Sequence, residues 1–214
     1  MYLCKRLRNY VWRFNEKRWL KRIRKKNQNK DFTLITNNCI AGIIYHNLGL
    51  QFKSPTINLS IQGEDYLNFV KNIQYYSQCE LKEVENSGKK YPVGVLCPND
   101  DKHAKIHIHF QHYENFEKAK KKWCERFTRV NYHKLYFIWE FYDELYDISL
   151  LQQFDKLNVK KMAILHRDID NIKNSKVVDC YKEKEKFGKI FEPVGITGKR
   201  NLDEFDYVEF LNSL

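Results

Sequence analysis

The sequence has no apolar run near the roughly 20 residues needed to cross a bilayer as a helix. Its longest, such as Leu135 to Trp139, fall far short, which excludes an integral helical membrane protein. A secretory leader is not expected either, because Arg6, Arg8 and Arg13 interrupt every N-terminal apolar stretch before it reaches about 7 residues. The six cysteines, Cys4, Cys39, Cys79, Cys97, Cys124 and Cys180, form no C-x-x-C pair. That argues against a zinc knuckle or a disulfide framework and points to free thiols in a reducing cytoplasm. G-x-G-x-x-G, Walker A and G-x-S-x-G are all missing, so dinucleotide, P-loop and serine-hydrolase chemistry have no signature here.

Acid is nearly missing from one region only. Residues 1–30 hold 12 Lys/Arg and one carboxylate, Glu16, whereas the remaining 184 residues hold 26 bases and 26 acids. The net charge of +11 therefore sits on the first 30 residues. A neutral body excludes a protein basic over its whole surface, so nucleic acid is not the expected partner. Leu3, Leu7, Tyr10, Val11 and Phe14 recur at helical spacing, and Trp12, Trp19, Leu20 and Ile23 broaden the apolar side. This predicts a basic amphipathic helix over 2–23, with 21–30 as a polar linker. Such a helix suits the anionic inner face of a cell membrane, with Trp12 and Trp19 at the interface; the alternative is a helix docked on its own body.

From residue 31 the pattern predicts one α/β domain over 31–214. Strands are expected at Phe32 to Thr36, Thr56 to Ile61, Tyr91 to Cys97, Lys105 to Phe110, Leu135 to Phe141, Met162 to His166 and Lys176 to Tyr181. Helical periods cover Ile40 to Leu48, Glu64 to Tyr76, Phe116 to Val130 and Leu150 to Leu157, with a last short helix in Leu202 to Leu214. The alternation implies a mostly parallel sheet with helices on both faces, a three-layer, Rossmann-like arrangement. Ligands of such sheets collect beyond the carboxyl ends of the strands. Attention falls on the segments after Thr36, Phe110, Phe141 and His166.

Four constellations lie there. In Thr36-Asn37-Asn38-Cys39, a thiol at a helix start is placed to act as nucleophile, with Asn38 and the helix N–H groups as an oxyanion site and Asn37 as a substrate contact; the plainer reading is a buried thiol beside capping amides. His107 and His109 share a strand face about 6.6 Å apart, with His112 in the turn beyond. No third metal ligand accompanies them, so His109 or His112 is read as a general base rather than a metal ligand. Lys118, Lys122, Arg126 and Arg129 form a basic helical stripe that suits donor phosphates, or else a solvated face. Asp168-Ile169-Asp170 ends an apolar strand and can hold a divalent cation on a pyrophosphate, or is a surface loop.

Asn37-Asn38-Cys39 with Gly42, Tyr45 and Leu48-Gly49-Leu50, then Ser54 to Leu59, Asp65-Tyr66, Tyr91 to Gly94, His109-Phe110, His112-Tyr113 and Trp123 with Arg126, Arg129 and Asn131, resembles a bacterial family of unknown function found among capsular and exopolysaccharide biosynthesis proteins. The resemblance covers roughly residues 31–165 and implies an α/β fold and a polysaccharide-related role. The N-N-C turn is similar, more distantly, to the G-N-C-Q turn of coenzyme A-binding capsule acetyltransferase-like proteins, although Asn37 and Ile40 replace its glycine and glutamine. Together these readings lead to a cytoplasmic, membrane-surface transferase that acylates a sugar hydroxyl of a glycan or lipid-linked sugar. It would hold no tightly bound cofactor and would take a coenzyme A thioester as donor substrate. The alternatives are a glycosyltransferase using Asp168 and Asp170, and a glycan-assembly scaffold.

Overall fold

The structure, a computed structural model, describes residues 2–178, 180 and 188–213. It is a mixed α/β fold with two separate sheets. The larger is parallel, with order β1 (Thr33–Thr36), β5 (Leu135–Glu140), β6 (Lys160–Leu165) and β7 (Ser175–Val177). The smaller is antiparallel, β2 (Glu80–Glu83), β3 (Val93–Cys97) and β4 (Ile106–His109). The single three-layer parallel sheet expected from the sequence is therefore corrected. Three of the apolar runs join it with β1, but Tyr91 to Cys97 and Lys105 to Phe110 pair with each other, because a short connection lets consecutive strands meet antiparallel. Of the Lys176 to Tyr181 run, Asp179 and Tyr181 lie outside the described residues.

Side chains alternate across the parallel strands, as the period of two requires. Leu34, Tyr136, Ile138 and Ile164 face one core with α2 (Ile40–Leu48), Ile23 and the chain end around α7 (Tyr207–Asn212). Ile35, Phe137, Trp139, Ala163 and Leu165 face the other, with α3 (Gly63–Lys71), α5 (Phe116–Phe127), α6 (Ile148–Asp155) and the inner face of the antiparallel sheet. Burial on both sides explains why β1 has no exposed position. Helix α2 ends where the sequence places it, since Gly49 adopts the left-handed cap conformation at φ 69°. The helical period read from Glu64 to Tyr76 is split at Asn72 into α3 and α4 (Ile73–Tyr76).

Segment Thr56 to Ile61 is not a strand. Ser60 exchanges backbone hydrogen bonds with His109 (2.8 and 2.9 Å), and the next N–H, of Ile61, bonds the Asn37 carbonyl (2.9 Å). One connector, kinked at Asn58 (φ 63°), thus ties the small sheet to the end of β1.

Helix α1 (Tyr2–Lys26) runs into the stretch expected to be a linker and leaves only 27–30 outside it. It packs on the body: Trp12 and Ile23 are buried, Arg24 caps the end of α2 through the Asn47 carbonyl (2.7 Å), and Lys26 pairs with Asp206 (2.7 Å). Arg200 and Lys199 lie over the Trp12 and Trp19 rings at 5.2 and 4.3 Å, within cation–π range. Gly198, at φ 77°, lets the chain touch α1: a Cβ there would stand 2.2 Å from the Glu16 backbone nitrogen. Gly198→Ala should therefore destabilise the fold by about 1–3 kcal/mol and red-shift tryptophan emission. Gly195→Ala, whose Cβ meets nothing within 4 Å, should lower the urea midpoint less; equal midpoints for the two variants would contradict this docking.

Candidate functional site at the carboxyl edge of the parallel sheet

Glu140 ends β5 with 2% of its surface exposed. A carboxylate buried this deeply needs several donors to offset the water it loses. Asn38 donates its amide N–H to one oxygen, and the Tyr142 hydroxyl donates to the other at 2.6 Å. Asn37 serves the backbone of the same residue: its Nδ2 donates to the Glu140 carbonyl (3.1 Å) and its Oδ1 accepts from the Glu140 N–H (3.0 Å). The Asn37 amide thereby acts as one further rung between β1 and β5. Sequence reasoning missed Glu140; the available signal was a lone acid closing the apolar run Leu135 to Trp139.

The turn after β1 is closed by its own side chains. The Thr36 hydroxyl donates to the Asn38 carbonyl (2.6 Å) and accepts from Ala41 N–H (3.2 Å), while Asn38 Oδ1 accepts from Ile40 N–H (3.1 Å). The first helix donors and the Asn38 amide, expected to meet an oxyanion, thus already have internal partners. Cys39 is half-buried beside them, and burial, then the charge of Glu140, raises its pKa. At neutral pH it is a thiol.

The other expected groups are held by other elements. The His109 backbone reaches this edge through Ser60, but His109 belongs to the antiparallel sheet, and its ring lies at 6.0 Å edge-to-face with Tyr91. Burial first, then Lys89 and His107, lower its pKa, so the imidazole is neutral at pH 7. His112 is exposed in the following turn. The basic stripe divides. Lys118 pairs with Glu114, while Lys122 (2.8 Å) and Arg129 pair with Glu125. Arg126 is buried, donating to the Ile57 carbonyl (2.9 Å) and the Tyr113 hydroxyl (2.6 Å). Arg126 therefore braces the connector to the small sheet.

At the end of β6, Asp168 and Asp170 are exposed on either side of buried Ile169. The turn just beyond β5 supplies Asp143 and Glu144, which approach His166.

The family described as Domain of unknown function (DUF1919) matches residues 11–212 of this chain. The chain belongs to that family. An uncharacterized protein of Haemophilus influenzae is similar to it, 32% identical over 191 residues that span 89% of this chain and 88% of that protein. The DUF1919 match begins at Val11, so it includes the docking residues Trp12, Trp19 and Ile23 of α1 together with both sheets.

The protonated state of Cys39 has a direct consequence. Under iodoacetamide at pH 7, exposed Cys124 should be alkylated well before Cys39, and Glu140→Gln should accelerate Cys39 by removing the negative charge. Peptide mass spectrometry that finds Cys39 modified first in the wild type would restore it as an activated nucleophile.

Proposed function

We propose that the protein is a transferase acting on a sugar hydroxyl of a bacterial surface-glycan precursor, with a nucleotide sugar as donor. The single observation that carries the donor assignment is the exposed pair Asp168 and Asp170 just beyond the end of β6, whereas the thiol at the end of β1 is protonated and its neighbouring amide is occupied. These last two features weigh against acyl transfer through Cys39 and Asn38. The glycan acceptor rests on the resemblance to capsular and exopolysaccharide proteins.

Buried Ile169 anchors the loop while Asp168 and Asp170 project outward, a disposition suited to a hard cation bridging the donor's diphosphate. In the reaction the acceptor oxygen attacks the anomeric carbon, its proton passes to an edge carboxylate, and the bond to the diphosphate breaks; a cation held by Asp168 and Asp170 would offset the leaving charge. Glu140 is a positioning residue, holding Asn38 and Tyr142 at the rim.

The same reading places α1 on an anionic membrane. Among the described residues no helix is long and apolar enough to cross one. The docked helix nevertheless turns Leu7 (65% exposed), Tyr10 (73%) and Phe14 (54%) outward among Arg6, Arg13, Lys17 and Arg18. Trp12, expected from the sequence to enter the lipid, is instead turned to the body.

Calorimetry with a panel of nucleotide sugars plus Mg²⁺ or Mn²⁺ should show binding of at least one, lost in Asp168→Asn with Asp170→Asn. Heat from acetyl-coenzyme A alone would return the assignment to acyl transfer, and no heat from any donor would favour a scaffold. In sedimentation with vesicles rich in anionic lipid, Leu7→Asp with Phe14→Asp should abolish the salt-resistant part of binding and Trp12→Phe should leave it. Equal loss in both variants would contradict the outward face.

A further inference from the structure

Adjacent parallel strands end side by side, so the residues just beyond β5 and β6 are neighbours in space although 22 or more positions apart. One potential ligand atom from each of Asp143, Glu144 and His166 lies within 4.8 Å of the other two. Acidic clusters are common on surfaces, but this one is built differently. The Asp143 side chain is only 7% exposed. Its Oδ2 accepts from Arg167 Nε at 2.6 Å, while its Oδ1 is buried with no hydrogen-bond partner among the described residues. A buried carboxylate oxygen without a donor costs free energy unless a cation meets it.

His166 is oriented for the same purpose. Its Nε2 pairs with the Phe141 carbonyl at 2.8 Å; a carbonyl only accepts, so Nε2 carries a proton, and Nδ1 faces Glu144 at 3.7 Å. A backbone carbonyl fixing the tautomer of a histidine is the usual outer support of a metal ligand. Tyr142 packs edge-to-face on this ring at 4.6 Å and also donates to Glu140, which joins the cluster to the clasp at the end of β1.

We infer that Asp143, Glu144 and His166 bind a transition-metal dication such as Zn²⁺ or Mn²⁺. Two carboxylates and one imidazole suit such an ion better than Mg²⁺ or Ca²⁺, which prefer all-oxygen shells. Ligand atoms around an ion at about 2.1 Å stand roughly 3.4 Å apart in a tetrahedron. The Glu144 side chain, 64% exposed, has room to swing inward toward that spacing. Three protein ligands leave a further position for a substrate oxygen. The site stands apart from the proposed donor chemistry, because it is read from a histidine-containing ligand set and not from Asp168 and Asp170.

The test uses the full-length protein and the metal alone. After chelation and dialysis, titration calorimetry with Zn²⁺ and with Mn²⁺, checked by elemental analysis, should give one ion per chain. Glu144→Gln, exposed and therefore safe for folding, and Asp143→Asn should each weaken binding by about tenfold or more. Asp101→Asn, an exposed acid in the loop between β3 and β4, should leave it unchanged. Absence of stoichiometric uptake, or equal uptake by wild type and both ligand variants, would overturn the assignment; the latter result would place the ion on surface histidines or thiols. Metal binding without nucleotide-sugar binding would keep this site and remove the donor reading, and the reverse result would separate them the other way.

Discussion

The side chain of Asn37 substitutes for a backbone rung between β1 and β5, and the geometry of the carboxyl edge depends on it. Parallel strands diverge where one turns into a helix, and the last N–H and C=O of the longer strand would otherwise be buried without partners. Asn37 meets both groups of Glu140 from one planar amide. Each such group left unmatched would cost about 1–3 kcal/mol. The clasp also fixes where the Glu140 carboxylate points, and that carboxylate holds Asn38 and Tyr142 in turn.

The rest of the molecule braces this edge from two directions. The connector through Ser60 and Ile61 binds the small sheet to the Asn37 carbonyl, and Arg126 ties α5 to the same connector through Ile57. On the opposite core face, α1 and the segment through Lys199 and Arg200 close over α2 with tryptophan and arginine contacts. One helix thus has two jobs. Its inward residues complete a core, and its outward ones keep an apolar stripe inside the most basic part of the chain.

Much of this fold was legible in the sequence for physical reasons that can be named. Helix α2 was bounded by a polar turn and a glycine, and the buried parallel strands announced themselves as short apolar runs. The second sheet was not legible as such, because periodicity tells strand from helix but not which strand pairs with which. Strand β2 was invisible: in Glu80–Glu83 only Leu81 is buried. The connector at Thr56 to Ile61 reads as a strand because buried Ile57, Leu59 and Ile61 alternate along it, yet Asn58 adopts the left-handed conformation at φ 63° and the hydrogen bonds beyond it go to two different sheets. In the site, the Asn37-Asn38-Cys39 turn was found at once, whereas Glu140 and the approach of Asp143 to His166 required the β5–β6 register. The basic stripe divides for a local reason: Glu114 and Glu125 are interleaved with it, and Arg126 turns inward to the Ile57 carbonyl and the Tyr113 hydroxyl.

In the proposed function, ligand meets this protein at the carboxyl edge of the parallel sheet. Amide hydrogen exchange on the full chain, with and without a nucleotide sugar and Mn²⁺, addresses it most directly. Protection should concentrate in residues 37–39, 140–144 and 166–170. Protection centred on 89–93 and 107–112 of the small sheet, or a pattern unchanged by ligand, would contradict the claim.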